Sequence, residues 1–221
     1  MKQRFGVFAT LVFAGTLVSP ETVQGQSEVD STNALTLTIE IDNWAKVSPA
    51  TLQKGQAVAG QILAEAGITL RWVNCPCEKP RPDAATLSLR IIPKLFGSTS
   101  STFRTDHLGF SAVTEEGGVL ATVFYDRIQS VGKGGDLSNL LGLATAHELG
   151  HLLLGSRAHV DDGIMRPRWT RQNLRQGDRA GFRFTSEQSQ TMRQRVVKSL
   201  AMANGRPAES SPLGPREGIE P

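Results

Sequence analysis

The sequence predicts an α+β domain, a twisted mixed sheet of about five strands packed with long helices, on three observations. Alternating, β-branched segments dominate its first half. Residues 137–154 are densely apolar over 18 residues, too long for a strand and right for a buried helix. No segment recurs at a fixed period, which excludes a repeat array.

The elements follow in order. "ALTLTIEI" (34–41) alternates and reads as a strand. Ser48 can cap a helix with Pro49 at its first position; Val58, Ile62 and Leu63 share a face, and Gly67 ends it. "ITLRWV" (68–73) and "TLSLRIIP" (86–93) read as strands separated by the polar, proline-rich 74–85. After a Ser/Thr/Gly-rich loop over 94–109 come "FSAV" (110–113) and "VLATVFYD" (119–126), joined by a turn at "TEEGG". The Gly-rich "VGKGGDLSN" lacks the Gly-Lys-Ser/Thr ending of a phosphate-binding loop and reads as a linker into the helix at 137–154. A final helix, capped by Thr185 or Ser186, turns Met192, Val196 and Leu200 inward.

The ends differ in composition. Lys2 and Arg4 precede an apolar run of 14 residues, Phe5 to Val18, shorter than the roughly 20 that a helix needs to cross a bilayer. Val23 and Gly25 are small enough to direct cleavage after Gly25, so residues 1–25 read as a secretory signal and the mature protein as secreted or periplasmic, with no membrane attachment. Residues 204–221 are rich in Pro and Gly and read as a disordered tail.

Cys75 and Cys77 are the only cysteines, too few for a structural zinc site; a local bridge, free thiols and pairing with another chain all remain open. The net charge of +3 is mild, but Arg157, Arg166, Arg168, Arg171, Arg175, Arg179 and Arg183 crowd one stretch. Without interleaved aromatic residues or a nucleic-acid module they read as a solvated basic face, and no nucleic-acid partner is expected.

Chemistry concentrates in "HELGHLLLGSRAH", residues 147–159, which hold three of the four histidines. On a helix His147 and His151 project from one face, one turn apart, where both can bind one zinc ion. Glu148 is the next residue round, placed to take a proton from water activated by the metal and to pass it to a leaving amine. Two imidazoles and an acid are costly in so apolar a helix without a partner such as a metal. A catalytic zinc needs a third protein ligand and an open fourth position. Gly155 can stop the helix and turn the chain back, bringing His159 round as that ligand. His107, in "TDHLGFS", reads as a surface-loop histidine that could line the cleft.

"HELGHLLLGSRAH" followed by "GIMRPRW" resembles the metzincin zinc metallopeptidases, most of all the matrixin-like branch. That resemblance covers roughly residues 34–200, with its specific part in 147–169, and implies a zincin fold and a zinc-dependent endopeptidase acting on protein or peptide substrates. It also implies that Met165 forms the methionine turn beneath the metal ligands. The chain departs from the pattern in one place: Leu154 and Arg157 stand where the family has glycine and the third histidine, with Gly155 and His159 displaced. Asp161 is therefore the competing third ligand, as in the snapalysin-like branch, since carboxylate oxygen is an acceptable zinc donor. On this reading residues 26–203 form the metallopeptidase domain, Zn2+ is the cofactor, and a zincin-shaped zinc-binding protein without efficient turnover is the alternative. Oligomeric state and cleavage specificity are not legible. Intact-mass measurement of exported protein should give a chain beginning near Gln26, and retention of Met1 would contradict the signal.

Overall fold

The computed structural model describes residues 35–75, 86–94, 107–114, 117–133, 135–169, 174 and 179–204. The expected signal, the tail beyond Asn204 and Cys77 lie outside the described residues, as do Arg171 and Arg175. Five strands form one mixed sheet: β1 (Leu35–Asn43), β2 (Ile68–Asn74), β3 (Thr86–Ile92), β4 (Gly109–Thr114) and β5 (Gly117–Phe124). Their spatial order is β2-β1-β3-β5-β4. All neighbours run parallel except β4, which lies antiparallel on β5 and forms an edge. The α+β expectation holds, with this mixed sheet and four α-helices among the described residues.

Alternation decides which sheet face is covered. Leu37, Ile39 and Ile41 of β1, Leu89 and Ile91 of β3, and Ala121 and Val123 of β5 are buried, while the residues between them are less so. Helix α1 (Pro49–Glu65) begins as expected, with Ser48 Oγ accepting from Thr51 N–H and Pro49 opening the first turn. It packs Leu52, Ala59, Ile62 and Leu63 into the core beside helix α3 (Leu137–Leu154). The two helices touch almost backbone to backbone: a Cβ on Gly142 would stand 2.6 Å from Gly55 O and 2.5 Å from Val58 Cβ.

One boundary differs from expectation. The run "VLATVFYD" stays extended only to Phe124, and Tyr125–Val131 forms helix α2. The reason is the sheet: β5 pairs with β3 only as far as Ile92 opposite Phe124, so beyond it no ladder remains. Asp126 N–H donates instead to Pro93 O, and Ile128 is fully buried.

Helix α4 (Ser186–Asn204) is started by a reciprocal capping box, in which Gln188 N–H donates to Thr185 Oγ1 and Thr185 N–H to Gln188 Oε1. Met192 and Val196 are buried and Leu200 packs against the core, as expected. Arg193 donates to Ala66 O and Arg183 pairs with Glu65 at 2.9 Å, joining this last part of the chain to the end of α1. Cys75, just past β2, is disulfide-bonded, which removes free thiol at that position. Among the described residues no helix is long and apolar enough to cross a membrane.

Candidate metal centre and its cleft

Helix α3 is apolar on all sides and buried nearly throughout, so its polar residues must find partners inside the protein. Asp136 starts it, accepting from the N–H groups of Ser138 and Asn139. Gly155 ends it in the left-handed conformation at φ 61. Gly155 N–H donates to Leu152 O and Ser156 N–H to His151 O, the pair of bonds of a Schellman turn. A side chain at Gly155 would also run into the Arg195 guanidinium. Ending the helix at this residue sets the direction in which the next segment leaves.

That segment returns to the helix. Val160 N–H donates to Met165 O and Ile164 N–H to Arg183 O, closing a loop that carries His159 over α3. The ligand-capable atoms of His147, His151 and His159 all lie within 4.8 Å of one another, a group that could hold a metal ion. Their ring centroids are 4.7 Å (147–151), 5.3 Å (147–159) and 4.8 Å (151–159) apart. Asp161 is exposed and stands outside this group.

The hydrogen bonds determine which ring atoms are available. His147 Nδ1 lies 2.8 Å from Ile164 O, and His151 Nδ1 lies 2.8 Å from Ser156 O. A carbonyl can only accept, so each Nδ1 carries the proton and each Nε2 of the neutral ring presents its lone pair. The two Nε2 atoms then face each other at 3.1 Å. Two lone pairs at that distance repel unless a cation lies between them, so the donor set fits a metal ion. Burial holds both rings neutral: it lowers His147 to about 3, with His151 adding to the effect, and lowers His151 to about 4. Burial also lowers His159, and His107 adds to this.

Glu148, the next residue along the helix, lines the same cleft as His147 and His151. It is 6% exposed and burial pushes its carboxyl up to about 7, opposed by the Ser111 hydroxyl. Ser111 Oγ on β4 is 2.6 Å from Glu148 Oε2 and 2.8 Å from Glu148 O. One hydroxyl proton cannot serve both acceptors fully. With Glu148 ionised it goes to the carboxylate; with Glu148 protonated the acid donates to Ser111, which then donates to the backbone carbonyl. Both protonation states are therefore satisfied by the same residue. Gly109 lets β4 pass this closely, since a Cβ there would stand 2.6 Å from Glu148 Cγ.

Met165 is fully buried directly after Ile164, whose carbonyl holds His147. It lies beneath the helix: a Cβ on Gly150 would be 2.7 Å from both Met165 Sδ and Phe184 Cε1. Over the histidines opens a cleft of about 410 Å³, bounded by Gly109, Phe110 and Ser111 of β4 on one side and by Pro167 to Trp169 on another. His107, read as a surface-loop residue, is exposed and also lines this cleft. Ser111, Trp169 and the cleft-lining role of Arg157, Arg166 and Arg168 were not picked out from sequence. Gly109, read as the end of a surface loop, was the local signal that could have marked the close approach of β4 to Glu148.

No protein-family model matches the chain, and no characterised protein sequence matches it. Among solved structures it is similar to a zinc-dependent peptidase from Methanocorpusculum labreanum (strain Z), at 15% identity and a TM-score of 0.48, over 70% of this chain and 99% of that one. It is also similar to metalloproteinase-II from Bacteroides fragilis, at 13% identity and a TM-score of 0.46, over 76% of this chain and 55% of that one. The chain thus spans about half the length of the second protein. Both likenesses are of general outline.

The geometry separates the two candidate third ligands. In titrations of metal-free protein with Zn2+, His159→Ala should weaken binding by more than about a hundredfold, beyond what losing an outer-shell partner costs. Asp161→Ala should leave the affinity close to that of the parent. The reverse pattern would remove His159 from the metal.

Proposed function

We propose that this protein is an exported zinc-dependent endopeptidase of the metzincin type, with His147, His151 and His159 as metal ligands, Glu148 as general base and acid, and Met165 as the floor of the site. One observation carries the reading: three neutral imidazoles converge on a point at the base of an open cleft, beside a buried carboxylate. A site that only stored metal would need neither that cleft nor that carboxylate.

Three nitrogen ligands leave zinc the open position that catalytic sites keep. Zinc when bound supplies Lewis acidity, acidifying water and polarising a scissile carbonyl. The remaining chemistry falls to the chain. Glu148 takes the proton of the attacking water as the C–O bond forms, and returns it to the leaving nitrogen as the C–N bond breaks. Without metal, burial raises this carboxyl to about 7; a neighbouring Zn2+ would pull it down again, toward the ionised form that a general base needs. Ser111 positions it in either state and keeps its Oε2 from turning away. Ile164 O and Ser156 O fix the tautomers and ring planes of His147 and His151.

Strand β4 supplies the place for substrate. It pairs with β5 on one side and is the end of the sheet on the other, and its residues 109–111 line the cleft. An extended peptide added along that edge would run past the histidines with its backbone hydrogen-bonded and its side chains alternating.

Glu148→Gln keeps the shape of the side chain and removes its basicity. Its zinc content should match the parent, while peptide hydrolysis should fall at least about a hundredfold, the usual contribution of general acid–base catalysis. Turnover at the parent rate, measured on a quenched fluorescent peptide, would remove Glu148 from the mechanism.

A further inference from the structure

We propose that His107 is a second catalytic residue, accepting a hydrogen bond from the nitrogen that leaves when the peptide bond breaks. This rests on the peptidase reading above and assigns the leaving-group side of that reaction. Ser111 Oγ lies 2.6 Å from Glu148 Oε2, so Oε1 is the oxygen left to handle protons. A Cβ on Gly109 would stand 2.7 Å from that Oε1, which therefore occupies the space a larger side chain would fill. Gly109 and Ser111 thus turn one face of β4 toward Glu148. Phe124 N–H donates to Leu108 O, which carries the pairing of β4 with β5 one residue past the Gly109–Val123 pair. By alternation His107 presents its side chain on the same face as Gly109 and Ser111. It lines the cleft, and its charge bears on His147 and His159.

The backbone that presents His107 is held from two directions. Arg127 of α2 donates to His107 O at 2.6 Å with its guanidinium 4.6 Å over the Phe124 ring, and Leu108 O accepts from Phe124 N–H at 2.9 Å. The imidazole itself is exposed, open to whatever enters the cleft. Same-face positions on a strand are about 6.7 Å apart, roughly the length of an imidazole plus one hydrogen bond. A nitrogen bonded to Oε1 above Gly109 is therefore within reach of His107. The leaving nitrogen must come to that place: as the C–N bond breaks, its electron pair stays on nitrogen, which takes the proton that Glu148 Oε1 carries. The N–H that the amide already had then points away from Oε1, and an unprotonated imidazole nitrogen accepts it. No proton passes to His107; the hydrogen bond holds the nitrogen so that its lone pair meets Oε1.

The test uses the zinc-loaded protein with a quenched fluorescent peptide and its depsipeptide, identical except that an ester oxygen replaces the nitrogen of the bond to be cut. That oxygen has no N–H to give. With His107→Ala, kcat for the peptide should fall about tenfold, the worth of one hydrogen bond, while KM stays close to the parent's because the contact tightens only as the C–N bond breaks. Hydrolysis of the depsipeptide should continue at the parent rate. Zinc content should match the parent's, since His107 stands outside the ligand group. An undiminished rate on the peptide, or an equal loss on both substrates at full zinc content, would overturn the proposal and leave the peptidase reading standing. So would a change confined to KM, which marks a residue that binds substrate without favouring its reaction. Hydrolysis of neither substrate by the zinc-loaded parent would overturn both.

Discussion

Desolvation of the polar residues of α3 is the constraint from which the rest of the site follows. His147, Glu148 and His151 sit in a helix that is otherwise mostly apolar and buried, where each unpaired polar atom is expensive. Each has been given a partner from a different part of the chain: Ile164 O for His147, Ser156 O for His151 and the Ser111 hydroxyl for Glu148. The imidazoles are kept neutral, with their free nitrogens aimed at each other, an arrangement that is unfavourable alone and favourable around a cation. The same burial makes the carboxyl reluctant to ionise without metal, a reluctance that the Ser111 hydroxyl and a neighbouring Zn2+ both oppose.

Delivering these partners depends on where the helix stops. Gly155 ends α3 in a Schellman turn, so that Ser156 O falls on His151 and the following loop brings His159 back over the helix. Closure of that loop between Val160 and Met165 places Met165 under Gly150, with Phe184 beside it. The glycine stands one residue later, and the histidine two residues later, than in the family pattern the sequence resembles. The extra residues still return the ring to the cluster.

The site was legible where its residues are close in sequence. A four-residue spacing of histidines on a helix, an acid between them and a glycine to stop the helix are all local signals, and the structure brings His159 to His147 and His151 as that reading expected. The strands were legible from alternation, and the capped starts of α1 and α4 from Ser48 and Thr185. What was missed depends on distant pairing. Helix α2 replaces the end of an apparent strand because β3 runs out opposite Phe124. Ser111 reaches Glu148 only because the edge strand crosses α3, a contact 37 residues apart in sequence. The arginines after His151 looked like a solvated face by composition; folding the loop over the helix turns three of them toward the cleft.

The side-chain cluster, the buried carboxylate and the edge strand meet in one cleft, and they can act together as a catalytic site only if the metal binds where the three imidazoles converge. Zinc-edge X-ray absorption on stoichiometrically loaded protein measures that coordination directly. The spectrum should show three imidazole nitrogens and at least one further light atom from a non-protein ligand. A first shell containing sulfur, or fewer than three imidazoles, would contradict the assignment of His147, His151 and His159.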